Sequence, residues 1–287
     1  MRMFSRNWEE VYTGQKIILG ILSGMENIFL AGGTALQCYT LSQKWRESED
    51  LDFFLDHELT QKESAKLSRQ MMQTLENDKE IKNVRHVYTE EGTHRLFCTL
   101  AGLDEIIKIE LLNFTADRFY DKEFIVHEDF PRIENHYNLL LYKLKALCDR
   151  TDTIKDLFDI YFLFKELEPL KIKILFSDLE MKFLETTGYV YNVPSVVNAL
   201  KIPRRWDIIL AGDEQMYHPM KEAVKNFQND FSCLLLDAST EILDFSYAAY
   251  LKEKVAQFDC DSAENYLSFY EENAFVEQEC RHYLERQ

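Results

Sequence analysis

The chain has 287 residues, with 50 Asp and Glu against 33 Lys and Arg, a formal charge of -17 and a sequence pI near 4.9. That balance excludes a generally basic surface and confines any nucleic-acid partner to a local patch, bound in a salt-sensitive way. Hydrophobic residues at 46%, with 13% aromatics, are ample for one large core or two ordinary ones.

In chain order, the first apolar segment, residues 17–22, is short, interrupted by Gly20 and preceded by acids. It suits neither a signal peptide nor a membrane span, no later run is long enough to span, and the expected location is cytoplasmic. From about residue 28 to 127, β-like and helical runs alternate. "NIFLAGG" reads as a strand, residues 34–42 as a helix that Thr34 would cap, "DLDFFLD" as a strand, and "TQKESAKLSRQMMQTLEND" as an amphipathic helix. "IKNVRHVY", "HRLFCTLA", "IIKIELL" and "EFIVHED" follow as runs rich in β-branched and aromatic residues, separated by turn signals.

After Pro131 the texture turns helical. Residues 133–150 and 152–168 scan as helices, the second with a stripe of Leu157, Ile160, Tyr161 and Phe164. Pro169 marks a boundary, and residues 176–187, 220–238, 239–258 and 262–287 also read as helices, several opening on Ser, Thr or Asp in cap position. The expected fold is α+β: a small mixed sheet flanked by helices in a first domain, 1–168, then a helical domain, 169–287. The six cysteines form no C-x-x-C pair and the seven histidines no metal spacing, so free thiols of a reducing compartment and no zinc site are expected.

The chemistry concentrates in two strands. In "DLDFFLD" the period of two puts Asp50 and Asp52 on one face and Leu51, Phe53 and Leu55 on the other. In "IIKIELL" it puts Ile107, Ile109 and Leu111 on the core face and Lys108 and Glu110 on the opposite one. A solvated edge strand would show the same alternation. If the two strands are neighbours, Asp50, Asp52 and Glu110 converge, and three carboxylates at close range need a cation among them. Hard oxygen donors suit magnesium, and two such ions roughly 3.5–4 Å apart clamp an in-line displacement at phosphorus. "LAGGTAL" adds a strand, a tight turn and a helix start, where Gly32 and Gly33 allow close approach of phosphate oxygens to the backbone. It lacks the third glycine of a dinucleotide fingerprint and the Gly-Lys of a P-loop.

"GGTALQCYTLSQKWRESEDLDFF", from Gly32-Gly33-Thr34 through Arg46 and Ser48 to Asp50-Leu51-Asp52, resembles the abortive-infection nucleotidyltransferase toxins of type IV toxin–antitoxin pairs, within the DNA polymerase beta-like superfamily. A second block, "YKLKALCDRTDTIKDLFDIYFL", carries the resemblance through Lys143, Ala146, Leu147, Arg150, Lys155, Asp156, Leu157, Asp159 and Leu163. Together the blocks cover roughly residues 25–165. The resemblance implies transfer of a nucleoside monophosphate from a nucleoside triphosphate, magnesium as cofactor, and RNA, tRNA foremost, as acceptor. It implies Asp50, Asp52 and Glu110 as metal ligands, Gly32, Gly33, Thr34 and Ser48 near the phosphates, Lys143 facing the triphosphate and the leaving pyrophosphate, and after it Asp156 and Asp159 in the nucleotide site. A separate DNA-binding antitoxin, encoded nearby, is the implied protein partner.

Other readings share these residues. Lys143, Arg150, Asp156 and Asp159 also suit a salt-bridge set packing two helices. "KIPRRWD" places Lys201, Arg204 and Arg205 beside Trp206, which suits phosphate contact with base stacking, but in so acidic a chain a loop anchored by Trp206 is simpler. A small-molecule nucleotidyltransferase of the antibiotic-modifying kind and a non-catalytic nucleotide-binding protein are the functional alternatives.

Overall fold

The structure, a computed structural model, describes residues 6–56, 59–88, 93–115, 123–166, 193–212 and 214–241. Its contacts separate two units, Met1–Leu139 with Asp207–Tyr217, and Leu140–Trp206 with His218–Gln287.

The first unit opens with a helix that the short apolar reading of residues 17–22 misses. Helix α1 (Trp8–Leu22) starts where the Asn7 side chain accepts from the Glu10 amide, and Glu9 and Glu10 lie in its first turn, the end at which the helix dipole favours acids. Val11, Gly14, Gln15, Ile18, Leu19 and Leu22 are buried, a three-and-four spacing that makes one continuous stripe. The stripe was hidden because two of its members, Gly14 and Gln15, are not apolar. Gly14 lets the helix lie close on the sheet, since a Cβ there would come within 2.8 Å of Ile107 Cγ1.

Five strands form one mixed sheet in the order β1-β2-β5-β4-β3, with β1 at Ile28–Ala31, β2 at Asp50–Leu55, β3 at Ile81–Tyr88, β4 at His94–Leu100 and β5 at Ile106–Thr115. β1 with β2, β4 with β5, and β3 with β4 are antiparallel, whereas β2 and β5 are parallel. Parallel neighbours cannot be joined by a tight turn, and helix α3 (Gln61–Glu76) with the β3–β4 pair supplies the long connection. One face of the sheet is core: Leu51, Phe53, Leu55, Leu96, Cys98, Leu100, Ile107, Ile109 and Leu111 are almost fully buried, with Leu67, Met71 and Leu75 of α3 and the α1 stripe.

Two expectations change. The helix expected over residues 34–42 begins at Gly32, as helix α2 (Gly32–Ala35), and widens into a π turn over Leu36–Thr40. Ala31 holds the N-cap position, so Thr34 lies inside the helix and caps nothing. The β-like run 123–129 is not a strand: it makes one isolated bridge, Ile125 to Ile133. The chain turns immediately after it, with the His127 amide donating to the Phe130 carbonyl and Val126 78% exposed.

The described part of the second unit is helical. Helix α4 (His136–Asp149), which belongs to this unit from Leu140 onward, and helix α5 (Lys155–Glu166) sit within the segments expected at 133–150 and 152–168. A long helix at Tyr217–Glu241 covers the expected 220–238 and runs through Ser239, where the sequence suggests a fresh start. Phe227 and Phe231 of that helix pack against Tyr161 and Phe164 of α5, with ring centroids 5.2–5.5 Å apart. A short helix, Val193–Leu200, was not anticipated, although Pro194 in its first turn is a start signal. The helices expected at 176–187 and 262–287, and most of that at 239–258, lie outside the described residues. Among the described residues no helix is long and apolar enough to cross a membrane.

Helix α3 carries a full capping box: the Thr60 amide donates to Glu63 Oε2 at 3.0 Å and the Glu63 amide donates to Thr60 Oγ1 at 3.3 Å. Thr60→Ala is expected to lower stability by about 1 kcal/mol, read as a reduced urea midpoint with an unchanged denaturant slope.

Candidate active site

The non-core face of the sheet carries a charged row whose order is set by strand register. Ala31 pairs with Asp52, Asp52 with Glu110, Glu110 with Arg95, and one step along Asp50 pairs with Lys108. The alternation read from the sequence is observed, with Leu51, Phe53 and Leu55 buried and Asp50, Asp52, Lys108 and Glu110 half-buried. Asp50, Asp52 and Glu110 therefore lie side by side on two adjacent strands.

Cations already compensate the row. Lys108 Nζ lies 2.9 Å from Asp50 Oδ2 and 3.0 Å from Glu110 Oε1, and Arg95 Nε donates to Glu110 Oε1 at 2.6 Å. Burial alone would push the Glu110 carboxyl up, but Lys108 and Arg95 outweigh it and hold Glu110 below the usual carboxylate range. Burial pulls the Lys108 ammonium down, yet its bonds to Asp50 and Glu110 prevail and raise it. Glu110 is ionised and Lys108 protonated throughout the neutral range. Among the described residues no three His, Cys, Asp or Glu side chains are gathered closely enough to grip a metal. The donor set still has the right chemistry for one, because three carboxylates on neighbouring strands are hard oxygen ligands of the kind magnesium takes.

The glycine turn abuts this row. Gly32 follows Ala31 at the end of β1 with φ of +68°, a left-handed conformation that costs an L-residue about 1–2 kcal/mol. Its missing side chain matters as much, since a Cβ on Gly32 would fall on Asp52 Oδ2 and within 2.7 Å of Asp52 Cγ. Gly33 is equally confined: a Cβ there would come within 2.6 Å of Ser48 Oγ and 2.9 Å of an Arg46 guanidinium nitrogen. Beneath the turn Thr34 Oγ1 donates to the Asp50 carbonyl at 2.5 Å and lies 3.1 Å from Ser48 Oγ, while the Gln15 amide donates to Thr34 Oγ1 and to the Ser48 carbonyl. Thr34, Ser48 and Arg46 are buried. The two hydroxyls thus tie the turn to β2 from inside.

Lys143, Asp156 and Asp159 come together in the second unit. Lys143 Nζ is 3.2 Å from Asp156 Oδ1 and 2.7 Å from Asp159 Oδ2, and Arg150 reaches Asp156 Oδ1 at 3.0 Å. Both aspartates and Lys143 are buried. The other Asp156 oxygen, Oδ2, is buried without a hydrogen-bond partner. The four charges sum to zero, the exposed Arg150 balancing the single negative charge left by the three buried members. In "KIPRRWD", Arg204 donates to the carbonyls of Leu147, Ala199 and Arg150, and Trp206 meets the Phe158 ring edge-on at 6.1 Å. Arg204 thereby satisfies the last carbonyls of α4 and their neighbours, and the segment is an anchored loop.

A family model described as "Nucleotidyl transferase AbiEii toxin, Type IV TA system" matches residues 21–240. The chain belongs to this family. It is a nucleotidyltransferase of the type IV toxin–antitoxin class, which implies a nucleoside triphosphate substrate and an antitoxin partner. Comparison with curated proteins finds no match. Among solved structures, JHP933 from Helicobacter pylori is 19% identical with a TM-score of 0.47, the alignment covering 83% of this chain and 97% of that one. A non-canonical poly(A) polymerase complex, GLD-2 with GLD-3, is 12% identical with a TM-score of 0.33, covering 83% and 93%.

In this AbiEii-family chain, sequence reasoning missed Arg95 and gave Lys108 no role. Their alternation on β4 and β5 was visible, but the strand order that brings both to Glu110 was not. Cys38, Cys98 and Cys148 are free, and burial pushes their thiols up to about 11, 12 and 11, so none is a thiolate nucleophile at neutral pH.

Two substitutions test this geometry. Gly32→Ala is expected to lose about 1–2 kcal/mol from backbone conformation alone and to displace the Asp52 carboxylate, seen as a lowered melting temperature together with lost nucleotide binding. Lys143→Ala takes the ammonium from the buried Asp159 carboxylate and leaves Asp156 to Arg150, and is expected to cost about 3–5 kcal/mol in chemical denaturation.

Proposed function

We propose that this nucleotidyltransferase moves a nucleoside monophosphate from a nucleoside triphosphate to the end of an RNA acceptor, tRNA foremost, with pyrophosphate leaving. The observation that carries the reading is the row Gly32–Asp52–Glu110: a turn without side chains lies against Asp52, and Asp52 is paired across the strands with Glu110. The acceptor hydroxyl oxygen bonds to the α-phosphorus as the bond from that phosphorus to the bridging oxygen of the β-phosphate breaks.

Asp50, Asp52 and Glu110 would hold magnesium, which supplies charge neutralisation on the triphosphate and a lowered pKa for the acceptor hydroxyl. Gly32 and Gly33 offer backbone to the phosphates at close range, and Thr34 and Ser48 keep that turn fixed to β2. Glu110, kept ionised by Lys108 and Arg95, completes the ligand set on the side of the attacking hydroxyl. Lys143 is held by Asp156 and Asp159, and the part it would take in offsetting charge on the leaving pyrophosphate rests on the family resemblance alone. Residues 1–168 form the nucleotidyltransferase domain in this reading, and 169–287 is assigned to acceptor binding. The protein works in the cytoplasm beside a DNA-binding antitoxin encoded nearby.

A small-molecule acceptor is the second reading, and the charge of -17 favours it for a cationic acceptor. The presence of all three carboxylates counts against a non-catalytic binding protein. The test is incubation of the protein with magnesium, each labelled nucleoside triphosphate and total RNA. Label is expected in RNA, and Asp52→Asn should reduce its appearance at least a hundredfold without changing the far-UV circular dichroism. Label in a small molecule instead supports the second reading, and nucleotide binding without turnover refutes both.

A further inference from the structure

The ammonium of Lys108 stands between two of the three carboxylates assigned to the metal. Both contacts follow from backbone geometry: parallel pairing sets Lys108 directly beside Asp50, and the period of two along β5 sets it beside Glu110. Summed over Asp50, Asp52, Glu110, Lys108 and Arg95, the row carries a single negative charge. Without Lys108 it would carry two.

We propose that Lys108 is the resident counter-cation of the acidic row, keeping divalent metal affinity low in the free protein and giving up its carboxylates when a nucleoside triphosphate arrives. The inference rests on the reading of Asp50, Asp52 and Glu110 as the metal ligands. The side chain is suited to the exchange. Lysine presents a compact charge with three donors on a flexible four-carbon stem, so it can trade a carboxylate for a phosphate oxygen, whereas the planar fork of Arg95 is committed to one geometry. Lys108 is also partly exposed, with a quarter of its side chain open, and needs no unpacking to move. A triphosphate brings about four negative charges to the turn at Gly32, which draws the ammonium away, frees Asp50 and leaves Glu110 to Arg95 alone. Metal and nucleotide then bind with positive coupling, and each raises the affinity of the other by the same factor.

The test uses manganese as the probe, followed by electron paramagnetic resonance and by calorimetry, with and without a non-hydrolysable triphosphate. In the absence of nucleotide, Lys108→Met is expected to bind manganese at least tenfold tighter than the unaltered protein, and Lys108→Arg to match the unaltered protein because it keeps the charge. Nucleotide should tighten manganese binding to the unaltered protein strongly and to Lys108→Met much less. Melting temperature in chelator and in manganese gives a second readout: Lys108→Met should melt lower without metal and gain more on its addition. If Lys108→Met binds manganese no tighter, or gains no more in melting temperature, the role given to Lys108 is wrong. If the nucleotide-loaded unaltered protein shows no manganese binding that Asp52→Asn removes, the metal reading itself fails, and with it this inference.

Discussion

The pairing of β2 between antiparallel β1 and parallel β5 is the constraint on which the rest depends. It aligns Ala31, Asp52 and Glu110 across three strands and sets the glycine turn beside the acids without any loop having to find its own position. The same register sends Leu51, Phe53, Ile107 and Ile109 into the core. Sliding either strand by one residue would exchange the faces, driving carboxylates into the apolar layer and leucine and phenylalanine out to solvent. Unpaired carboxylates in such a layer cost several kcal/mol each. Packing and site geometry are therefore specified by one interaction, and neither can drift without the other.

That register was half legible. The period of two within β2 and β5 separates core from carboxylate face on sequence alone, and Thr60-x-x-Glu63 announces the start of α3. Which strands are neighbours is not written locally. Asp50 and Lys108 are 58 positions apart, and only the completed sheet joins them. The run 123–129 shows the converse failure, because β-branched residues there promise a strand that the turn at residues 127–130 ends after one bridge. Helix α1 escaped because Gly14, buried for close approach to Ile107, and Gln15, buried for its hydrogen bonds to Thr34 and Ser48, break its apolar stripe. Thr34 sat at a plausible cap position, but a helix that starts on Gly32 turns its hydroxyl inward.

The protein handles its charges in two different ways. On the sheet, ion pairs are half-exposed and exchangeable, so each is worth little as stability and much as preparation for a ligand. Between α4 and α5, Lys143, Asp156 and Asp159 are closed off from water, with Arg150 reaching Asp156 from the exposed side. Arg204 reinforces that closure by binding the terminal carbonyls of α4. The other Asp156 oxygen, Oδ2, is buried there without a donor.

The π turn at Leu36–Thr40 bears on which length changes the chain can tolerate. Gln37, in that turn, accepts through its side chain from the amides of Trp45 and Arg46, bracing the loop that leads to Ser48 and Asp50. A π turn holds one residue more than an α turn of equal rise. Deleting one residue there would return the turn to α spacing and leave the downstream chain in nearly the same place, whereas deleting one from the loop beyond Thr40 would pull Trp45 and Arg46 off the Gln37 side chain. The turn can absorb a change of one residue, and the braced loop from Gln37 to Arg46 is the part whose length is fixed.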